Sequence, residues 1–189
     1  MKNVFISIIT ISLIFAVGGC KSSKKLPSVQ AGSTEVSVPL SGKEYSPDKD
    51  HFRAKQSGNS IDLAVAKKIA LQNARAELAT GIQSTMKAVI ENYANQRQVS
   101  DRKELEGKFE EQTRTVVNQM LNDVRIIGEK VYKEANGSFT YWVAIEMNKD
   151  SLTQGLNDRI LRDERLKLDF DQYQFRKIFD EEMQKFENR

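Results

Sequence analysis

The chain has 189 residues, with 29 Lys and Arg against 26 Asp and Glu, a formal charge of +3, one cysteine and one histidine. So small a basic surplus argues against a nucleic-acid binder, which concentrates cations on one face. One cysteine and one histidine cannot build a disulfide framework or the usual zinc constellations.

The first elements belong to export. Lys2 supplies a positive start, and Val4 to Val17 is apolar except for Ser7, Thr10 and Ser12, before Gly18 and Gly19 end the run. This layout reads as a signal peptide over residues 1–19. Its uninterrupted apolar part is shorter than the roughly 20 residues a membrane-crossing helix needs. Val17-Gly18-Gly19-Cys20 resembles the lipobox of bacterial lipoproteins. The resemblance implies cleavage before Cys20, a diacylglycerol on its sulfur and acylation of the new amine with palmitate-type chains. The lipid bilayer is then the first expected partner, since several acyl chains hold a protein far more firmly than one. Lys21 stands where an aspartate would resemble an inner-membrane retention signal, which favours an outer membrane in a cell that has two. With Cys20 taken by the anchor, the remaining module has no thiol, so cysteine–histidine sites are excluded, and one histidine leaves no serine–histidine–acid set to defend.

Residues 20–44 read as the lipidated N-terminus and a flexible tether rich in Ser, Lys, Gly and Pro. Within it, Val36, Val38 and Leu40 alternate briefly and fit an edge strand over 35–40, with Pro39 suited to an edge. EYSPDKDHFRAKQSGNS reads as an irregular approach to a helix, pinned by Tyr45 and Phe52 and ending in a cap at Asn59 or Ser60. The strongest element follows, a helix from 61 to about 97. Leu71, Ala74, Leu78, Ile82, Met86, Val89 and Tyr93 form its apolar stripe. Val65, Ile69, Ala76, Ala79 and Ile90 widen that surface, and the small alanines on this second side suit close approach by a sheet or helix. A second helix starts near Ser100, with Leu105, Phe109, Val116, Met120 and Leu121 as its apolar side.

A β-hairpin is predicted over 124–132 and 139–147, turning at Ala135-Asn136-Gly137-Ser138. Phe139, Tyr141, Val143, Ile145 and Met147 share the face expected to lie over the alanine-rich helix. Trp142 points the other way, either covering the edge of the core or marking an interaction surface. Residues 151–189 read as a helical extension, with a break between Leu166 and Phe170. Phe175, Phe179, Met183 and Phe186 need a partner surface. Folding back on the domain is preferred, and a second copy or another envelope protein is the other choice.

No catalytic set emerges. His51 reads as a surface histidine, and Asp48 and Asp50 lack the further ligands of a calcium loop. Asp169 and Asp171 read as part of a charged stretch. Arg75 lies close to the apolar stripe, either tied by a carboxylate or carbonyl or snorkelling to water. Asn73 reads as a structural hydrogen-bonding residue beside it. No cofactor and no metal are expected.

FRAKQSGNSIDLAVAKKIALQNARAELA, Phe52 to Ala79, resembles the core motif of the LPP20-like bacterial lipoproteins. The matching positions are Ala66, Ala70, Asn73, Ala74, Arg75, Leu78 and Ala79, and FTYWVAIEM resembles the family's closing strand. The resemblance implies a small domain over 45–150 in which helices pack on a short sheet, held at the cell envelope, with no catalytic residues to carry over.

The fold expected is α+β: a short antiparallel sheet on a long alanine-rich helix, with a second helix and a helical C-terminal extension. The function expected is a non-catalytic, lipid-anchored envelope protein that binds another envelope component or itself. The alternatives are a small-ligand carrier or hydrolase with a carboxylate-lined cleft, and a passive structural lipoprotein.

Overall fold

A computed structural model describes residues 34–97 and 102–187, with the side chains of Asp169, Phe186 and Glu187 outside the description. The chain divides into two units, Met1–Val36 and Ser37–Arg189. The signal peptide, Cys20 and most of the tether lie outside the described residues. The second unit is α+β. Its elements run β1 (His51–Ser60), α1 (Leu63–Arg97), α2 (Arg102–Met120), β2 (Arg125–Lys133), β3 (Phe139–Asn148), α3 (Lys149–Arg162), a short α4 (Leu166–Asp169) and α5 (Gln172–Glu187). Short 3-10 turns at Lys43–Tyr45 and Leu121–Asp123 precede β1 and β2.

The sheet is antiparallel with order β1-β3-β2. β3 holds the centre because it carries the densest apolar alternation. Val143 and Ile145 are fully buried and Tyr141 and Met147 nearly so. They face α1, as their period of two requires. The hairpin turn is closed by the Glu134 amide donating to Ser138 O (2.8 Å) and the Gly137 amide to Glu134 O (2.9 Å). Gly137 has φ +86°, a conformation glycine adopts without strain. A bulge between Ile126 and Gly128 interrupts the β2–β3 register.

Helix α1 begins where Asp62 accepts the Val65 amide (3.0 Å), satisfying a first-turn donor. Asn59 and Ser60, the caps expected, have other roles. Asn59 bonds Ser138 and Thr140 on the sheet, and the Ser60 hydroxyl accepts from the Asp62 amide. The close approach to the sheet is made by Ala66, Ala70 and Ala74, all fully buried. Ala76 is exposed and Ala79 only partly buried, so the contact lies on a different line of alanines from the one expected. Gly58 completes it: a Cβ there would fall 2.5 Å from both Ala66 O and Ala70 N.

Beyond the sheet, the second half of α1 packs on α2 and α5. Tyr93, Phe109, Phe170 and Phe175 form a cluster with ring centroids 5.5–6.2 Å apart. The break predicted between Leu166 and Phe170 is real. Asp163 accepts the Leu166 amide (2.9 Å) and Asp171, expected only as part of a charged stretch, accepts the Gln174 amide (3.0 Å), so each fixes a helix start.

One expected element is corrected. Residues 35–40 form no strand: Val36 and Val38 are exposed, and Leu40 turns at φ 57° to bury its side chain. The third strand is β1, inside the segment expected to be irregular. Its local signal is weak, because it contains no Val, Ile, Thr, Tyr or Trp and a single Phe. It is held by pairing with β3 from His51↔Asn148 to Ser60↔Phe139.

Candidate functional site

Asn73 and Arg75 sit in the first half of α1. The Asn73 side-chain amide donates to the Ser57 carbonyl (2.9 Å), tying α1 to β1. Arg75 is partly exposed, and its buried Nε has no hydrogen-bond partner. The expected tie to a carboxylate or carbonyl is therefore not made at that atom. Trp142 is partly buried on the face of β3 away from α1. Phe175, Phe179 and Met183, offered from sequence as an interaction surface, are 0%, 1% and 4% exposed. Of the two choices the sequence left, the preferred one holds for these three: their side chains fold back into the chain's own core, and the interaction-surface reading is set aside for them. Phe186 lies near the end of α5, and its side chain is outside the described residues.

The structure gathers charges that the sequence scatters. Glu146, on the outer face of β3, is 5% exposed. Its Oε2 accepts from Arg53 Nε on β1 (2.9 Å) and its Oε1 pairs with an Arg125 terminal nitrogen on β2 (2.8 Å). The in-register neighbours Arg53↔Glu146 and Arg125↔Glu146 explain the convergence, since opposed residues share a face. Arg53 also reaches Asp48 Oδ2 (2.5 Å) and the Ser46 carbonyl (2.8 Å). Burial pushes the Asp48 carboxyl up, but the amides of Asp50 and His51 and the Arg53 guanidinium outweigh it and hold the group at about 2. His51 Nδ1 lies 3.5 Å from Asp48 Oδ1. Lys149 is buried, donating from Nζ to the Asp48 carbonyl (2.5 Å) and lying over the Phe52 ring.

A cleft of about 400 Å3 borders this cluster, lined by His51, Asp123, Arg125, Glu146, Asn148 and Ser151 among others. Sequence reasoning missed it because its members come from three strands and a loop. A signal was present: a glutamate within an otherwise apolar strand demands cations on the strands beside it. The acids of the cluster are paired. Both oxygens of Glu146 are held by guanidinium groups, and both of Asp48 accept hydrogen bonds.

The other unassigned feature is an edge. β2 and β1 are the outer strands, but they differ. Asn73 occupies a carbonyl of β1. Among the described residues, nothing hydrogen-bonds the outer backbone of β2. Val131 and Tyr132 on it are 46% and 45% exposed. On its inner side, Glu129 accepts from Lys67 (2.9 Å) and from the Tyr141 hydroxyl, contacts that lower its pKa despite some burial.

Among the described residues no helix is long and apolar enough to cross a membrane, and no group of three or more His, Cys, Asp or Glu is placed to hold a metal ion. Comparison with known proteins gives no match: no family model, no curated protein and no solved structure is similar to the chain.

Proposed function

We propose that the chain is a lipid-anchored envelope protein of the LPP20-like kind, acting by binding rather than catalysis. Acylated Cys20 ties it to a bilayer, the outer membrane where a cell has two, and the folded module engages another envelope component or a second copy. The observation that carries the binding reading is the free outer edge of β2. A row of N–H and C=O groups unpaired among the described residues, flanked by exposed Val131 and Tyr132, is a template for an added strand.

The cleft beside Glu146 is what favours the rival, a hydrolase or small-ligand carrier. Against it, each oxygen of Glu146 is already paired with a guanidinium, Arg53 on one and Arg125 on the other. Protonating Glu146 would weaken both pairs in a buried site, where an unmatched cation is costly.

The anchor is tested by growing cells with an alkyne-tagged fatty acid. The wild-type chain incorporates label and fractionates with membranes, whereas Cys20→Ala loses both. Unchanged labelling and retention in the variant would remove the anchor from this account.

A further inference from the structure

We propose that the outer edge of β2 pairs, antiparallel, with the same edge of a second copy, with Val131 on the two-fold axis. The inference rests on the reading of this edge as the binding element and names its occupant.

Backbone direction comes first. The Glu134 amide donates across the hairpin to Ser138. Backbone groups alternate sides along an antiparallel strand, so Glu134, Tyr132 and Lys130 point theirs toward β3. Lys133, Val131 and Glu129 point theirs outward. This stretch is also the regular part of β2, beyond the bulge at Ile126–Gly128.

Charge then selects the register. A two-fold axis perpendicular to the sheet keeps each residue on its own face, so a residue on the axis meets itself. An axis at Glu129, Lys130 or Lys133 opposes like charges, which is unfavourable. An axis at Tyr132 sets Lys133 against Val131 and Lys130 against Glu134, which lies beyond the end of β2 at Lys133. An axis at Val131 opposes valine to valine. It sets Glu129 against Lys133 of the second copy, and Lys130 against Tyr132 of the second copy, in both directions. Glu129–Lys133 is an opposite-charge pair and Lys130–Tyr132 a cation–aromatic pair. Val131 with itself, and Glu129 with Lys133, are then outward-pointing pairs that each exchange both N–H···O=C bonds. Within one chain, Glu129 holds Lys67 and Lys133 lies over the Phe139 ring, so both side chains already stand on the α1 side of the sheet where they would meet. β1 is not an equivalent edge, since Asn73 occupies one of its outward carbonyls, that of Ser57.

The test uses the full-length chain in non-ionic detergent, with sedimentation equilibrium corrected for bound detergent. The wild type is expected to dimerise. Lys133→Glu, which opposes two carboxylates twice, weakens self-association by about tenfold or more. Glu129→Lys combined with Lys133→Glu restores it, and circular dichroism checks that each variant is folded. A monomeric wild type, or Lys133→Glu dimerising as well as wild type, overturns the proposal. If a photoreactive residue at position 130 then captures an envelope protein of different mass in cells, self-pairing falls and the binding reading stands. If it captures nothing, both fall.

Discussion

Gly58 has no room for a methyl group. The two nearest atoms a Cβ would meet are backbone, Ala66 O and Ala70 N, and the third is the Cβ of Ile69, so relief requires moving α1 off β1. Gly58→Ala is expected to destabilise the fold by about 2 kcal/mol, as overpacking does; urea unfolding would show it, and an unchanged midpoint would mean the helix sits further from the strand. The Asp48 carboxyl sits at about 2 against an ordinary 3.8, so between those values the unfolded chain binds a proton that the folded chain does not. The stability it contributes is complete above about pH 4 and is lost as pH falls toward 2. With 43% of the side chain exposed, screening reduces this to about 1 kcal/mol. Asp48→Asn should flatten that part of the stability–pH profile, measured by urea unfolding between pH 5 and 2.5; a slope equal to wild type would place the acid sensitivity elsewhere.

Elements differ in how plainly the sequence announces them. The hairpin is legible because β3 alternates strictly and Asn136-Gly137 supplies the turn. Helix α1 is legible because its stripe recurs at threes and fours from Leu71 to Tyr93. β1 is not. Phe52, Ala54 and Gly58 do alternate toward α1, but Lys55, Gln56, Ser57 and Asn59 between them carry low strand propensity. Pairing with β3 overrides that local weakness, while the better-looking Val36–Val38 stretch has no strand beside it. The charged cluster was legible only in part. Glu146 on the outward face of an apolar strand pointed to a cation, but which cation depends on a register no single strand encodes. α5 settles a choice the sequence left open, since Phe175 and Phe179 complete the core against α1. Phe175→Ala should therefore cost about 3–5 kcal/mol in thermal or chemical unfolding. A loss under 1 kcal/mol would return the tail to the role of an adhesive surface.

At the scale of the molecule, two features are separable. One is the proposed anchor at Cys20. The other is a module in which Asp48 and Glu146 are paired internally and whose β2 edge, among the described residues, is unmatched. Edge strands left open invite pairing, and proteins that avoid it cover or distort them. Here the bulge distorts only the first part of β2, and the stretch from Glu129 to Lys133 stays regular. The account places function on that stretch. Its most direct test is site-specific photocrosslinking of the full-length chain in living cells, comparing Lys130 on β2 with exposed Lys177 on α5. Discrete crosslinked species from position 130, and none from 177, are predicted. Crosslinks from 177 with none from 130 would contradict the account.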